Sequence, residues 1–277
     1  MTDYQRLHRI IFQYNKKRYN DLPFCWNKIA TIKYLSNKIP GLKTSFLTEI
    51  KSFQDVNVNL RRFVLKNAFG HSAHNVLVLD KVRDGLYFDK IRNKKYTTSN
   101  LAIIVSKFKH PFIEKQLGTK FLPFDIKVHI FFGKICFFYI YKKGYSGKYE
   151  KSRYDSQLNY INYNQMFYPN AFKDHAHFRE NKNLINSVSI PALQEILLTS
   201  VKIFDMLGNL FYCSVDWLYD PETNEYSFCE LTPTPYVLSK PIKSNFIQNH
   251  IGKCHPCTTD HKNVCSTQNV CPSYIYK

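Results

Sequence analysis

Cys213-Ser-Val-Asp216-Trp-Leu-Tyr-Asp-Pro-Glu-Thr-Asn-Glu-Tyr-Ser-Phe-Cys-Glu230-Leu-Thr232 is the stretch on which the reading of this chain turns. Asp220-Pro-Glu-Thr-Asn sets turn formers between two runs rich in aromatic and β-branched residues, which predicts a β-hairpin. If the hairpin is centred on Thr223, Asp216 stands opposite Glu230, with Cβ atoms about 4.5–5.5 Å apart. Like charges across a ladder are destabilising, whereas paired carboxylates suit a hard divalent cation such as Mg²⁺. Alternation puts Thr232 on the face of Glu230 and offers a third oxygen. The competing reading is a slipped register with two separately solvated acids.

Three upstream segments carry further candidates. Phe63-Val-Leu-Lys66-Asn-Ala-Phe-Gly70-His71-Ser72-Ala-His74 ends a strand in a lysine and runs into a small-residue loop. An amine beside backbone N–H groups suits phosphate, although Gly-Lys-Ser is missing and this is no Walker loop. An ordinary hairpin with a solvated lysine fits the same residues. Phe112-Ile-Glu114-Lys115-Gln-Leu117 is an apolar strand interrupted by a charged pair, of the kind that lines a purine through backbone amides and one acid. Asp125-Ile-Lys127-Val-His129-Ile-Phe131 alternates, so Asp125, Lys127 and His129 share one face. That face is either plain solvated sheet or a cleft wall where Lys127 meets a transferring phosphate, with His129 as a wall residue.

The order of these segments resembles the ATP-grasp superfamily, and within it the TupA-like branch associated with teichuronopeptide and polysaccharide biosynthesis. Phe63 to Ser72 is similar to that branch's Phe-Val-x-Lys-Pro-Asn-His-Gly-Ser segment, and Pro123-Phe-Asp-Ile-Lys127 to its Pro-x-Asp-Tyr-Lys strand. Val215-Asp-Trp-Leu-Tyr and Phe228-Cys-Glu-Leu-Thr resemble its Val-Asp-Leu-Tyr and Phe-x-Glu-Leu-Thr signatures, and Asn27-Lys28 stands where it has Asp-Lys. The resemblance spans roughly residues 22 to 242 and implies an α+β fold: two lobes clasping ATP behind a helical N-terminal segment. It implies that Lys66 and Lys127 contact phosphates, with Lys127 the catalytic cation. Gly70, His71 and Ser72 would cover the phosphates, while Glu114, Lys115 and Leu117 line adenine. Asp216, Glu230 and Thr232 would hold Mg²⁺ or Mn²⁺. The activity implied is an ATP-dependent ligase that turns a carboxylate into an acyl phosphate for attack by an amine or other nucleophile. Its substrate would be a small molecule or an acidic polymer. Ser214 replaces the arginine that often precedes the metal aspartate, Thr232 replaces an asparagine, and the flap lacks repeated glycines. A kinase acting on a hydroxyl and an inactive remnant are therefore alternatives.

Bulk composition bounds the rest. Apolar content of 44% predicts a folded chain. The net charge of +18 favours anionic partners. Lysines and arginines are dispersed, for example Lys16-Lys17-Arg18 and Lys142-Lys143, which disfavours a nucleic-acid-binding module with a zinc tail. No apolar run approaches the roughly 20 residues of a membrane span. Met1-Thr-Asp-Tyr-Gln-Arg carries no apolar signal core, and a reducing cytoplasm is the simplest setting for Cys25, Cys136, Cys213 and Cys229 as buried thiols.

The organisation predicted is a helical segment over 1–60, a small lobe with the phosphate flap over 61–120, and a large lobe with the metal hairpin over 121–245. Within the last, 144–183 is Tyr- and Asn-rich with weak periodicity and reads as a long mobile loop. A Cys-rich tail follows over 246–277. In it, Cys254, Cys257, His261, Cys265 and Cys271 have residue types for Zn²⁺ at a spacing that fits no common finger, so loose thiols are the alternative.

Overall fold

The computed structural model describes residues 9, 11–17, 22, 25, 27–57, 59–69, 75–118, 122–143, 149–166, 178–208, 210–233 and 243–246. Its first sheet contains β1 (Phe46–Glu49), β2 (Arg62–Asn67), β3 (Val76–Arg83), β4 (Leu86–Asp89), β5 (Lys94–Thr97) and β6 (Pro111–Lys115), in the order β1-β6-β2-β3-β4-β5. The second contains β7 (Phe124–Phe131), β8 (Lys134–Lys143), β9 (Tyr149–Tyr154), β10 (Phe178–Glu180), β11 (Tyr212–Tyr219) and β12 (Tyr226–Thr232), in the order β10-β9-β8-β7-β11-β12. All neighbours are antiparallel except β10 and β9. With helices α1 (Lys28–Lys38), α2 (Thr98–Ser106) and α3 (Ile190–Met206), this is the α+β class expected.

Each sheet has one apolar face closed by a helix. On the first, Phe63, Leu65, Leu77, Leu79 and Ile113 pack against Leu101 and Val105 of α2. On the second, Ile126, Val128, Ile130, Phe138, Ile140, Val215 and Trp217 pack against Leu193, Ile196, Ile203 and Phe204 of α3. Trp217 donates its indole N–H to Ser200 Oγ at 2.9 Å, which removes the cost of burying that donor. Alternation then sends Lys66 and Val64, and Asp125, Lys127 and His129, to the opposite faces.

β1 draws the N-terminal segment into the first sheet by pairing with β6. α1 opens on Asn27, whose Oδ1 accepts from the N–H groups of Ile29 and Ala30 at 2.9 and 3.1 Å. The N–H of Lys28 is bound by the Ala68 carbonyl at 3.1 Å, which ties the start of α1 to the end of β2.

The long loop expected over 144–183 is corrected for its described residues. Tyr149–Tyr154 pairs with β8, and Phe178–Glu180 with β9. The pattern misleads because β9 carries Glu150, Lys151, Ser152 and Arg153 between Tyr149 and Tyr154, which fall on opposite faces, so no apolar alternation marks the strand. The expected flap residues Gly70, His71 and Ser72, and the whole Cys-rich tail, lie outside the described residues. Among the described residues, no helix is long and apolar enough to cross a membrane.

Candidate functional site

The hairpin sets Asp216 opposite Glu230 and Ser214 opposite Thr232. This register depends on a bulge. Tyr219, Leu218 and Trp217 pair with Tyr226, Ser227 and Phe228, and the next pair is Asp216 with Glu230, so Cys229 is the extra residue. Without it, alternation would turn the acid on β12 away from Asp216.

Two lysines offset the repulsion between these acids. Lys127 lies directly across β7 from Asp216, and its Nζ sits 2.6 Å from Asp216 Oδ2. Lys28 Nζ sits 3.0 Å from Glu230 Oε2. Repulsion alone therefore does not require a metal between the acids, contrary to the expectation from the hairpin. The electrostatics remain poised. Burial raises the Asp216 carboxyl to about 7; Asp125 and Glu230 push the same way, against Lys127. Asp125 is raised for the same first cause, burial. Burial works against the charge on Lys127, yet Asp216 and Asp125 together hold it well above the ordinary lysine range. Asp216 Oδ1 and Asp125 Oδ1 are both buried and have no hydrogen-bond partner.

The first sheet supplies a second buried pair. Lys66 and Glu114 approach to 2.5 Å, with side chains 6% and 1% exposed. Lys66 Nζ also reaches across to the second sheet, 3.7 Å from Cys229 Sγ. Burial opposes the Lys66 charge, but Cys229, Glu114 and Glu230 outweigh it and keep the ammonium above the ordinary range. Cys229, read from sequence as a plain buried thiol, is partly buried at this junction, and burial pushes it up to about 12. Beside Lys66 on the same face of β2, Val64 packs with Val78 and Leu122 as an apolar shelf.

The remaining candidates divide. Leu117 is buried. Lys115 points away to the hairpin tip, 2.9 Å from Glu225 Oε2, and so clasps the two sheets instead of joining Lys66. His129 is buried with Nδ1 2.9 Å from the Tyr212 hydroxyl, and burial followed by Lys127 keeps it well below its ordinary value. It is a neutral wall residue, as its place on the strand implies. Sequence reasoning missed the pairing of Lys28 with Glu230 and the presence of Asp125 among the acids. A cavity of about 320 Å³ lined by Asn67, Leu77, Arg92, Tyr96 and Lys107 lies on the α2 side of the first sheet, apart from these groups.

Comparison with known proteins adds the following. No family model matches the chain, and no curated protein matches it. Solved structures do. D-alanine–D-alanine ligase from Bacillus anthracis is 16% identical, with 76% of this chain and 58% of that one covered at a TM-score of 0.45. The ATP-grasp ligase PsnB, complexed with a variant of its minimal precursor, Mg and ADP, is 11% identical over 86% of this chain and 56% of that one, at a TM-score of 0.47. N5-carboxyaminoimidazole synthetase from Staphylococcus aureus, complexed with ADP, is 12% identical over 78% and 47%, at 0.42. The chain thus spans about half the length of these proteins.

Proposed function

We propose that the chain is an ATP- and Mg²⁺-dependent ligase of ATP-grasp type, which activates a carboxylate for attack by an amine or other nucleophile. The observation that carries this reading is the meeting of three acid–lysine pairs between the sheets: Lys66 with Glu114, Lys127 with Asp216, and Lys28 with Glu230. Lys66 with Glu114 is buried and costly to desolvate, while the other two pairs stay partly open, so the cluster offers charge beside an apolar shelf. A triphosphate and a hard cation match both halves of the arrangement.

The residues fit the metal. Asp216 Oδ1 is a buried carboxylate oxygen without a hydrogen bond, and Glu230 faces it across the hairpin. Among the described residues no group of three or more His, Cys, Asp or Glu converges. Two carboxylates with phosphate and water completing the shell is the pattern of Mg²⁺, which dehydrates reluctantly. Asp216 and Glu230 would hold it, with Thr232 offering a hydroxyl on the same face. Bound there, Mg²⁺ neutralises phosphate charge. Lys127, displaced from Asp216, is placed to meet the oxygens of the phosphoryl group that moves. Lys66 would hold the phosphates from the other sheet, with Gly70, His71 and Ser72 over them. Val64, Val78 and Leu122 would carry the adenine, near Glu114 and Leu117. The substrate carboxylate takes the terminal phosphoryl group as ADP leaves; the nucleophile then displaces phosphate and loses its proton. The protein's work is positioning and charge compensation. The net charge of +18 suits an acidic acceptor, which extends the reading to glycopolymer assembly.

Thermal-shift titration tests this. ATP with Mg²⁺ is expected to stabilise the parent by about 2.7 kcal/mol at a hundredfold excess over Kd, and neither ligand alone to match it. Asp216→Ala and Glu230→Ala should each remove the joint effect. Equal stabilisation of parent and variants would contradict the assignment.

The raised Asp216 carboxyl makes a second prediction. Cation binding needs the ionised acid, so affinity for Mg²⁺ with ATP should tighten up to about tenfold per pH unit up to about 7 and level off above. Calorimetry in buffers of different ionisation heats should show proton release below that pH and little above it. The protein without ligand should behave oppositely. A carboxyl raised in the folded state favours folding fully at low pH, and this contribution is lost as pH rises from the ordinary carboxylate range through about 7.

A further inference from the structure

The cavity of about 320 Å³ on the α2 side of the first sheet has no part in the nucleotide reading. Lys66 and Asn67 are neighbours on β2 and turn to opposite faces, so the sheet itself separates this space from the ion pairs. Its size falls at the small end of the roughly 300–1,000 Å³ of ligand pockets. Asn67 ends β2, Asn75 precedes β3, Tyr96 lies on β5, and Lys107 and Phe108 follow the last turn of α2. Buried Leu77 gives it an apolar wall. No acid is among the residues that line it. Arg92 belongs to the wall, with Nη1 2.8 Å from the Val76 carbonyl and 2.7 Å from Asp89 Oδ2.

Four polar groups in this lining are uncommitted among the described residues. Asn67 uses only Oδ1, which accepts from the N–H groups of Phe69 and His110 at 3.4 and 3.5 Å, so its amide N–H groups are unused. The Asn75 amide, the Tyr96 hydroxyl and the Lys107 ammonium have no hydrogen bond or ion pair among the described residues. Lys94 Nζ, 5.4 Å from the centroid of the Tyr96 ring, adds a second cation beside that ring. The cavity therefore joins positive charge, neutral donors and acceptors, and the rings of Tyr96 and Phe108.

We propose that this cavity is a second ligand site, for a phosphorylated monosaccharide. A phosphate monoester carries about −1.5 to −2 charge near pH 7, which matches Lys107 with Lys94 close by and no acid in the lining to repel it. A sugar ring has apolar C–H faces to lay against Tyr96 and Phe108. Its hydroxyls both donate and accept, as the Asn67 and Asn75 amides and the Tyr96 hydroxyl do. Other occupants match less of the lining. A purely aromatic anion leaves the amides and the hydroxyl unmet once water is displaced. Inorganic phosphate leaves the rings and Leu77 uncovered.

Glucose 6-phosphate is the probe. It is titrated calorimetrically into the full chain alongside glucose and inorganic phosphate, each with and without ATP and Mg²⁺. Glucose 6-phosphate is expected to bind at least about tenfold more tightly than either fragment, and equally well when ATP and Mg²⁺ are present. Lys107→Met should weaken it about tenfold or more, the scale of one lost hydrogen bond to a charged group. Lys107 is exposed, so that variant should keep the parent's melting temperature. Asn75→Leu, which puts an apolar side chain into the same space, should abolish binding. No binding to the parent, phosphate binding as tightly as the sugar phosphate, or full affinity in either variant overturns the site. Competition by ATP would place the sugar phosphate at the ion pairs and overturns it as well. A parent that gives no thermal shift with ATP and Mg²⁺ contradicts only the nucleotide reading, because the cavity shares no residue with it.

Discussion

Lys127→Met is expected to lower the unfolding free energy by about 3 kcal/mol near pH 8, because it leaves buried acids without their shared cation. Asp216 loses an ion pair of 2.6 Å, and Asp125, on the same face of β7, loses the positive charge that opposes its burial. The loss should shrink near pH 5. There the acids, raised already by burial, take up protons and the variant no longer holds charge in a dry site. Urea denaturation at both pH values checks this, and Asp216→Asn in the Lys127→Met background should recover most of the stability. A deficit independent of pH would show that packing of the lysine stem, not its charge, is what was lost. In the proposed reaction the same variant should cost about 10²–10³ in turnover, the scale of removing one preorganised donor from a developing charge.

The second large effect is expected far from the ion pairs. Asn15, 1% exposed in the helical residues 11–17, donates from Nδ2 to the carbonyls of Tyr212 and Pro233, both at 2.7 Å, and accepts from the Phe211 N–H at 2.9 Å. Tyr212 begins β11 and Pro233 directly follows β12, so one amide staples both strands of the hairpin to the N-terminal helix. Asn15→Ala strands backbone groups that each cost about 1–3 kcal/mol when buried unpaired. With water recovering part of this, the expected loss is about 3 kcal/mol, seen as a lower urea midpoint at unchanged slope. Asn15→Asp should lose at least as much, because a carboxylate turns the two donated bonds into repulsion between acceptors. Affinity for ATP with Mg²⁺ should fall in both variants as the hairpin loosens. A midpoint shift equivalent to less than about 1 kcal/mol would mean that the strands do not depend on this staple.

Much of the fold could be read because each strand of the site is written as alternation. Ile126, Val128 and Ile130 against Asp125, Lys127 and His129 leave one face for α3 and one for chemistry. The periodicity of Leu193, Ile196, Leu197 and Phe204 marks α3 in the same way. The hairpin reading placed Asp216 opposite Glu230 by symmetry about Thr223, but the reason is different. The tip is tighter, and the bulge at Cys229 restores the pairing. Bulges leave no local signature when the extra residue is an ordinary cysteine. Lys28 shows in the sequence only as a motif position, because its pairing with Glu230 joins residues far apart in the chain. β9 is hidden for another reason: apolar periodicity is the signal for a strand, and the run from Glu150 to Arg153 supplies none. Lys115 shows the converse limit. Its place in Glu-Lys-x-Leu says nothing of where a long side chain goes, and Glu225 captures it.

The central claim is that Asp216 and Glu230 jointly ligate the cation of a bound nucleotide. Crystals grown with Mn²⁺ and a non-hydrolysable ATP analogue, measured at the manganese edge, test it directly. The account predicts an anomalous peak about 2.1 Å from oxygens of both side chains, with phosphates beside it reaching Lys66 and Lys127. A nucleotide bound elsewhere, or a peak that touches neither carboxylate while both keep their lysines, would contradict it.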